Sequence, residues 1–293
     1  MGGFTHLWNL SKYVSGFIAS DVLFLDILMF VVIESIIIGN LVSIPFEYYK
    51  TFVVEEKHGF NKTTMDTFVK DQFKSAGLSL AFAPVIYWGA CKIINWGGQN
   101  FFYILWIFGM VLMVVFMLIW PTYIAPLFNK FIVLGKDEEA TEKEIELRER
   151  IETISKKLNF PCNEIYKIDG SKRSDHSQAY FFGIFKKKRI VIYDTLIKQC
   201  ENEEIEAILF HELGHWFFSH NVQLIGINFM MFFLISYWIN IFIFDQDIYR
   251  SFKLPNETFV GLNLTMFTIG PVYIPYFKIL VDEHFHEVCG LYH

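Results

Sequence analysis

The chain has 293 residues, 53% of them hydrophobic and 18% aromatic, with Phe alone contributing 33. Only 19% are charged and the mean hydropathy is +0.34, which excludes a disordered tail protein, a disulfide-rich miniprotein and an ordinary soluble enzyme and points to a membrane protein. A formal net charge of −6 argues against a nucleic-acid binder, which carries a basic balance.

A bilayer helix needs about 20 mainly apolar residues, and charge-poor stretches predict five spans. Residues 22–46 carry only Asp26 and Glu34. Loop 47–74 follows, with five lysines: Lys50, Lys57, Lys62, Lys70 and Lys74. Residues 75–91 lie uncharged between Lys74 and Lys92, and 93–129 carry no charge. Residues 136–206 then hold 14 Lys/Arg and 16 Asp/Glu, so one polar domain interrupts an apolar body. Inside it, Ile145, Leu147, Ile151, Ile154 and Leu158 recur near helical spacing, predicting an amphipathic helix over 138–158 that Pro161 ends. Residues 179–185 and 189–195 flank a lysine-rich turn and read as a β-hairpin. Asn202 is the expected N-cap of the next helix, with Glu203 and Glu204 suited to its N-terminus. Residues 213–244 and 258–277 complete the spans.

The expected organisation is three spans in 1–130, a polar catalytic domain over 131–220, and two spans with a short tail in 221–293. Lys and Arg gather in loop 47–74 and the polar domain, so both are expected to face the cytosol. Cys91, Cys162, Cys200 and Cys289 lie far apart with no CxxC, which reads as four free thiols. Lys186 to Arg189 form a basic run suited to a solvated turn or to anionic headgroups. Trp120, Trp216 and Trp238 suit either interfacial anchoring or core packing.

The helix that opens at Asn202 carries His211-Glu212-Leu213-Gly214-His215, an HExxH motif. Residues i and i+4 share one helix face, so both imidazoles can hold one Zn²⁺. Glu212 can then reach water at the metal and act as general base. A glutamate between two histidines in so apolar a segment is costly unless paired or metal-bound. The fold class expected is an α-helical multi-pass membrane protein with an inserted α+β zincin-like metalloprotease domain.

Four blocks carry a resemblance: TFVVEEKHGFNK at 51–62, PTYIAPLFNKF at 121–131, DGSKRSDHSQAYFFGIFKKKRIVIYDTL at 169–196, and EIEAILFHELGHW at 204–216. Through them the chain resembles the zinc-dependent type I CAAX prenyl proteases, multi-span gluzincins of the endoplasmic reticulum. The resemblance implies one zinc per chain held by His211 and His215, with Glu212 catalytic. It implies that hairpin 179–195 offers a strand edge to an extended substrate, with Gln178, Ala179 and Tyr180 binding it. The implied substrates are prenylated proteins ending in Cys-a-a-X, which lose their last three residues at the membrane.

Three departures accompany it. The family begins with about two further spans, so this chain is expected to start near their third. Gln178 stands where the family has Asn in a His-Ser-Asn-Ala-Tyr run. The family's third zinc ligand is a Glu in a C-terminal charged run, and here the chain reads FKILVDEHFHEVCGLYH. Glu287 is the candidate third ligand, and His284 and His286 lie beside it. That mismatch keeps open an inactive relative acting as a membrane binding or quality-control protein. A broader quality-control protease is a further alternative.

Overall fold

The computed structural model describes residues 3–19, 23–34, 43–138, 140–183, 188–251, 258 and 260–263. Helices α1 (Gly3–Gly16) and α2 (Leu23–Glu34) come first. Helix α3 (Ile44–Tyr49) runs into a π-helical turn at Lys50–Glu55. Helix α4 (Met65–Trp96) is followed by α5 (Phe101–Ile119), a second π-helical turn at Trp120–Ile124 around Pro121, and α6 (Ala125–Phe128). Proline removes an N–H from the ladder, which such a bulge accommodates. Next come β1 (Phe131–Val133), α7 (Glu142–Lys157), β2 (Cys162–Ile168), β3 (Ala179–Phe182), β4 (Lys188–Tyr193), α8 (Asp194–Gln199) and α9 (Asn202–Phe217). Helices α10 (His220–Phe242) and α11 (Gln246–Ser251) follow.

The chain divides into two compact units. The first comprises Met1–Leu41, Ala76–Leu112 and Gln223–His293. Its described part is helical, because a helix is the one segment that satisfies all its own backbone polar groups away from water. Trp8, Ile27, Phe30, Cys91, Ile94, Phe101 and Ile239 form its core. A Cβ at Gly109 would lie 3.0 Å from the Phe232 ring, so glycine permits that close approach. The buried Asp26 carboxylate accepts from the Ser15 hydroxyl, which gives an acid in an apolar body its partner. Among the described residues, Met65–Trp96, Gly98–Phe128 and Val222–Phe242 are long and apolar enough to cross a membrane.

The second unit comprises Val42–Ser75 and Met113–Val222. Its four-stranded sheet runs β1-β2-β4-β3, with β2 and β4 parallel and both outer strands antiparallel to their neighbours. One face buries Ile165, Ile190 and Ile192 against Leu147, Ile151 and Ile154 of α7 and Ile205, Leu209 and Leu213 of α9. A capping box starts α7: Thr141 Oγ1 accepts from Glu144 N at 3.3 Å and Glu144 Oε2 from Thr141 N at 3.4 Å.

Several sequence expectations shift. Helix α4 starts ten residues before position 75 and runs through Lys92, whose ammonium lies 5.8 Å over the Trp88 ring. A long aliphatic stem lets such a lysine end a span without breaking it. The turn falls instead at Gly97–Asn100. The stretch 213–244 is two helices, because Ser219 takes a left-handed backbone (φ 58°) after α9 ends. Glu201, not Asn202, caps α9: its N–H donates to Glu204 Oε2 at 2.8 Å, while Asn202 Nδ2 donates to the Lys143 carbonyl. Strands β3 and β4 pair as expected, with Ala179 opposite Ile192. Most of the expected span 258–277 and part of 22–46 lie outside the described residues.

Candidate active site

Helix α9 presents two faces. Ile205, Leu209, Leu213 and Trp216 repeat at helical spacing toward the α7 and sheet core. His211 and His215, four residues apart, lie off that face; His211 is exposed and Glu212 and His215 half-buried. The two histidine Nε2 atoms converge to 3.1 Å, with the rings nearly perpendicular at 88°. Two imidazole nitrogens on one tetrahedral zinc stand ~3.3 Å apart, given Zn–N bonds of ~2.0–2.1 Å. The pair therefore fits two positions of such an ion. Among the described residues no third His, Cys, Asp or Glu joins them. Glu287, His284 and His286 lie outside the described residues.

Burial raises the Glu212 carboxyl above the usual carboxylate range, and neighbouring His211 pulls it partly back. Burial also lowers the His215 imidazole, and His211 adds to that. Both trends suit a neutral nitrogen donor beside a proton-accepting carboxylate.

Helix α9 packs against β3. Strand β3 is outermost in the sheet, so its far edge has no strand partner among the described residues. Ala179 and Phe181 face the α9 core, which by strand alternation turns Tyr180 and Phe182 to the opposite face. Tyr180 there meets Tyr193 edge-on at 6.3 Å, and burial pushes its phenol up to about 12. Gln178 is exposed just before the strand, and its carbonyl accepts from Tyr193 N at 3.0 Å. The motif helix and the strand edge are thus neighbours, whereas the Gln178 and Tyr180 side chains are not drawn to the histidines by any contact among the described residues.

The fold also assembles groups that sequence reasoning missed. Arg173 donates from Nε and Nη2 to both carboxylate oxygens of Asp71, at 2.8 and 3.0 Å, and from Nη1 to Asn129 Oδ1 at 2.7 Å. Its carbonyl accepts from Lys62 N and from Thr63 Oγ1. Phe60 stacks on His176 at 4.3 Å. Three of the four quoted blocks thereby meet, and their unusual residues were the signal. Lys188 is no solvated turn lysine: its ammonium lies 5.1 Å over Trp216, 5.5 Å over Phe181 and 5.7 Å over Phe160, and burial lowers it. Trp216 is therefore a core residue, while Trp120 and Trp238 are exposed. Cys91, Cys162 and Cys200 are free thiols, and Cys289 lies outside the described residues.

Residues 1–130 match the model described as CAAX prenyl protease N-terminal, five membrane helices, and residues 141–275 match peptidase family M48. A CAAX prenyl protease 1 homolog of Arabidopsis thaliana is 40% identical over 237 residues, covering 80% of this chain and 54% of that protein. The human protein of the same name is 33% identical, covering 95% and 65%. The crystal structure of S. mikatae Ste24p superposes with a TM-score of 0.83 at 31% identity, covering 94% of this chain and 66% of that one. The chain thus spans about half to two thirds of the length of these relatives.

Proposed function

The chain belongs to the CAAX prenyl protease family of membrane metallopeptidases, and from that membership we propose that it is a zinc endopeptidase removing the C-terminal tripeptide from prenylated Cys-a-a-X proteins. The observation that carries this reading is the convergence of His211 and His215 Nε2 to 3.1 Å on a helix packed against an edge strand. His211 and His215 would hold the ion, with Glu287 as the proposed third ligand. When bound, zinc supplies Lewis acidity that polarises a peptide carbonyl and acidifies water. Glu212 takes the proton from the attacking water and delivers it to the departing amine nitrogen, a role that its raised carboxyl suits. The outer edge of β3 receives the extended substrate through main-chain hydrogen bonds, with Gln178, Ala179 and Tyr180 in register beside it. A prenyl chain partitions into the bilayer, which brings the scissile bond to a membrane enzyme. The proposed location is the endoplasmic reticulum membrane, with the second unit on the cytosolic side.

Metal analysis of the detergent-purified chain tests this, followed by cleavage of a farnesylated peptide. About one zinc per chain is expected, as one His-ligated catalytic site requires. His211→Ala loses it, and Glu287→Ala weakens its retention. Glu212→Gln keeps the metal and lowers turnover by about 10²–10⁴-fold. Full zinc retention in a His211→Ala, His215→Ala double variant overturns the assignment.

A further inference from the structure

The sheet face opposite α9 bears a groove of ≈ 380 Å³ between the end of the α5–α6 stretch and the strands. Pro121 and Pro126 form one wall, Tyr166 and Phe182 the other, and Lys130 and Arg189 line it as well. The Arg189 guanidinium lies 5.6 Å from the Tyr166 ring centre and 5.8 Å from that of Phe182, so the two aromatics hold its plane. Neither Lys130 nor Arg189 has a carboxylate within ion-pair distance among the described residues. The neighbouring Asp169 is engaged by Lys172 at 2.5 Å and by the Lys130 backbone N–H. Two basic residues thus line an open groove, and among the described residues neither side chain is ion-paired.

The depth of this groove follows from the helix beside it. Phe101–Ile119 contains 19 uncharged residues, or ~28 Å of helix, close to the ~30 Å of a bilayer's hydrocarbon. Trp120 (55% exposed) and Tyr123 (70% exposed) come next, as aromatics do at the edge of the hydrocarbon. Trp120, Tyr123 and Lys130, the first charge after the Gly98–Phe128 stretch, mark this end of the span as the one near headgroup level.

We propose that this groove seats the phosphate of an anionic glycerophospholipid, held between Lys130 and Arg189 at the end of the Gly98–Phe128 span. Arg189 presents a planar fork to the phosphate oxygens and Lys130 a point charge, while the aromatic wall meets the glycerol backbone. Such a lipid ties the sheet to the membrane surface on the side away from the histidine pair. The proposal is independent of peptide hydrolysis and predicts the same lipid preference for zinc-depleted protein.

Native mass spectrometry of the full chain, released from detergent with equimolar phosphatidylglycerol and phosphatidylcholine, provides the test. The unsubstituted chain should retain phosphatidylglycerol about tenfold better, and Lys130→Gln with Arg189→Gln should bring the ratio near one. Lys156→Gln with Lys157→Gln, the same charge change on α7, should leave the preference intact. If Arg189→Gln does not fold, Lys130→Gln alone, beside a charge-retaining Arg189→Lys, should still reduce the preference. An unchanged preference in the Lys130 and Arg189 variants overturns the proposal, as does an equal loss in the Lys156 and Lys157 control. Displacement of the lipid by millimolar inorganic phosphate also overturns it, in favour of a soluble phosphate site.

Discussion

Asp194 shows how one side chain can hold a turn in place. Burial acts to raise its carboxyl, but hydrogen bonds from the Ser171 hydroxyl and backbone N–H, and from Lys198, outweigh this and hold it below the usual range. The Ser171 N–H donates at 2.8 Å, fastening the 169–174 turn to the start of α8. A carboxyl lowered by folding contributes stability that is complete above its unfolded value, ~3.9, and is lost as pH falls through the folded value. Asp194→Asn is expected to cost about 1–2 kcal/mol at neutral pH, and the variant should lose less stability than the parent on acidification below ~4. Thermal unfolding in detergent across pH 3–7 checks both. Beside it, a Cβ on Gly170 would fall 2.2 Å from the Tyr193 ring, so the glycine of the DGSKRS block serves close packing.

At the scale of elements, the Arg173 node fixes where the segment leading into the outer strand β3 lies. The segment 173–178 leads straight into β3, and Arg173 ties it to Asp71 near the start of α4 and to Asn129 just after α6. The ion pair is bidentate and three-quarters buried, unlike the exposed Lys70–Asp66 pair one turn along α4. Arg173→Ala should cost about 1–3 kcal/mol, because it removes the bidentate partner of a largely buried Asp71 and leaves it only Lys74, at 3.5 Å. Lys70→Ala should change stability by less than ~0.5 kcal/mol. Denaturant titrations of the two variants make the comparison. Lys188 plays a similar part for α9: its contacts with Phe160, Phe181 and Trp216 bind the beginning of β4 to the end of the motif helix.

For the whole molecule, the placement of loop 47–74 carries topological meaning. Asn61 bridges Ser174, Asp175 N donates to the Phe60 carbonyl, and the loop shares one compact unit with the sheet. Loop and sheet are therefore expected on one side of the membrane, and under the proposed orientation the five loop lysines put that side in the cytosol. Gly98–Asn100, between α4 and α5, lies at the opposite end of both spans. In a cysteine-free background, Lys57→Cys and Lys143→Cys should react with an impermeant maleimide only from the cytosolic face, and Gln99→Cys only from the other. Labelling of positions 57 and 143 from different faces would contradict the shared unit.

The apolar runs, the charged insert and the HExxH pair were legible in the sequence because each rests on short-range regularities: hydropathy over about 20 residues, and the i, i+4 geometry that puts His211 and His215 on one face. The hairpin alternation and the amphipathic α7 were legible for the same reason. The ends of elements were less so, since the Ser219 break, the continuation of α4 past Lys92 and the shift of the α9 cap to Glu201 depend on what each residue meets in space. Only tertiary structure could join Asp71, Asn129 and Arg173, set Lys188 over Phe160 and Trp216, and leave Lys130 and Arg189 lining one groove, because these contacts cross 28 to 102 positions of chain. Local pattern determined which segments enter the membrane and where the histidine pair sits. Long-range packing decided which charges are neutralised, which strand keeps an open edge among the described residues, and which side chains line the groove on the sheet face away from α9.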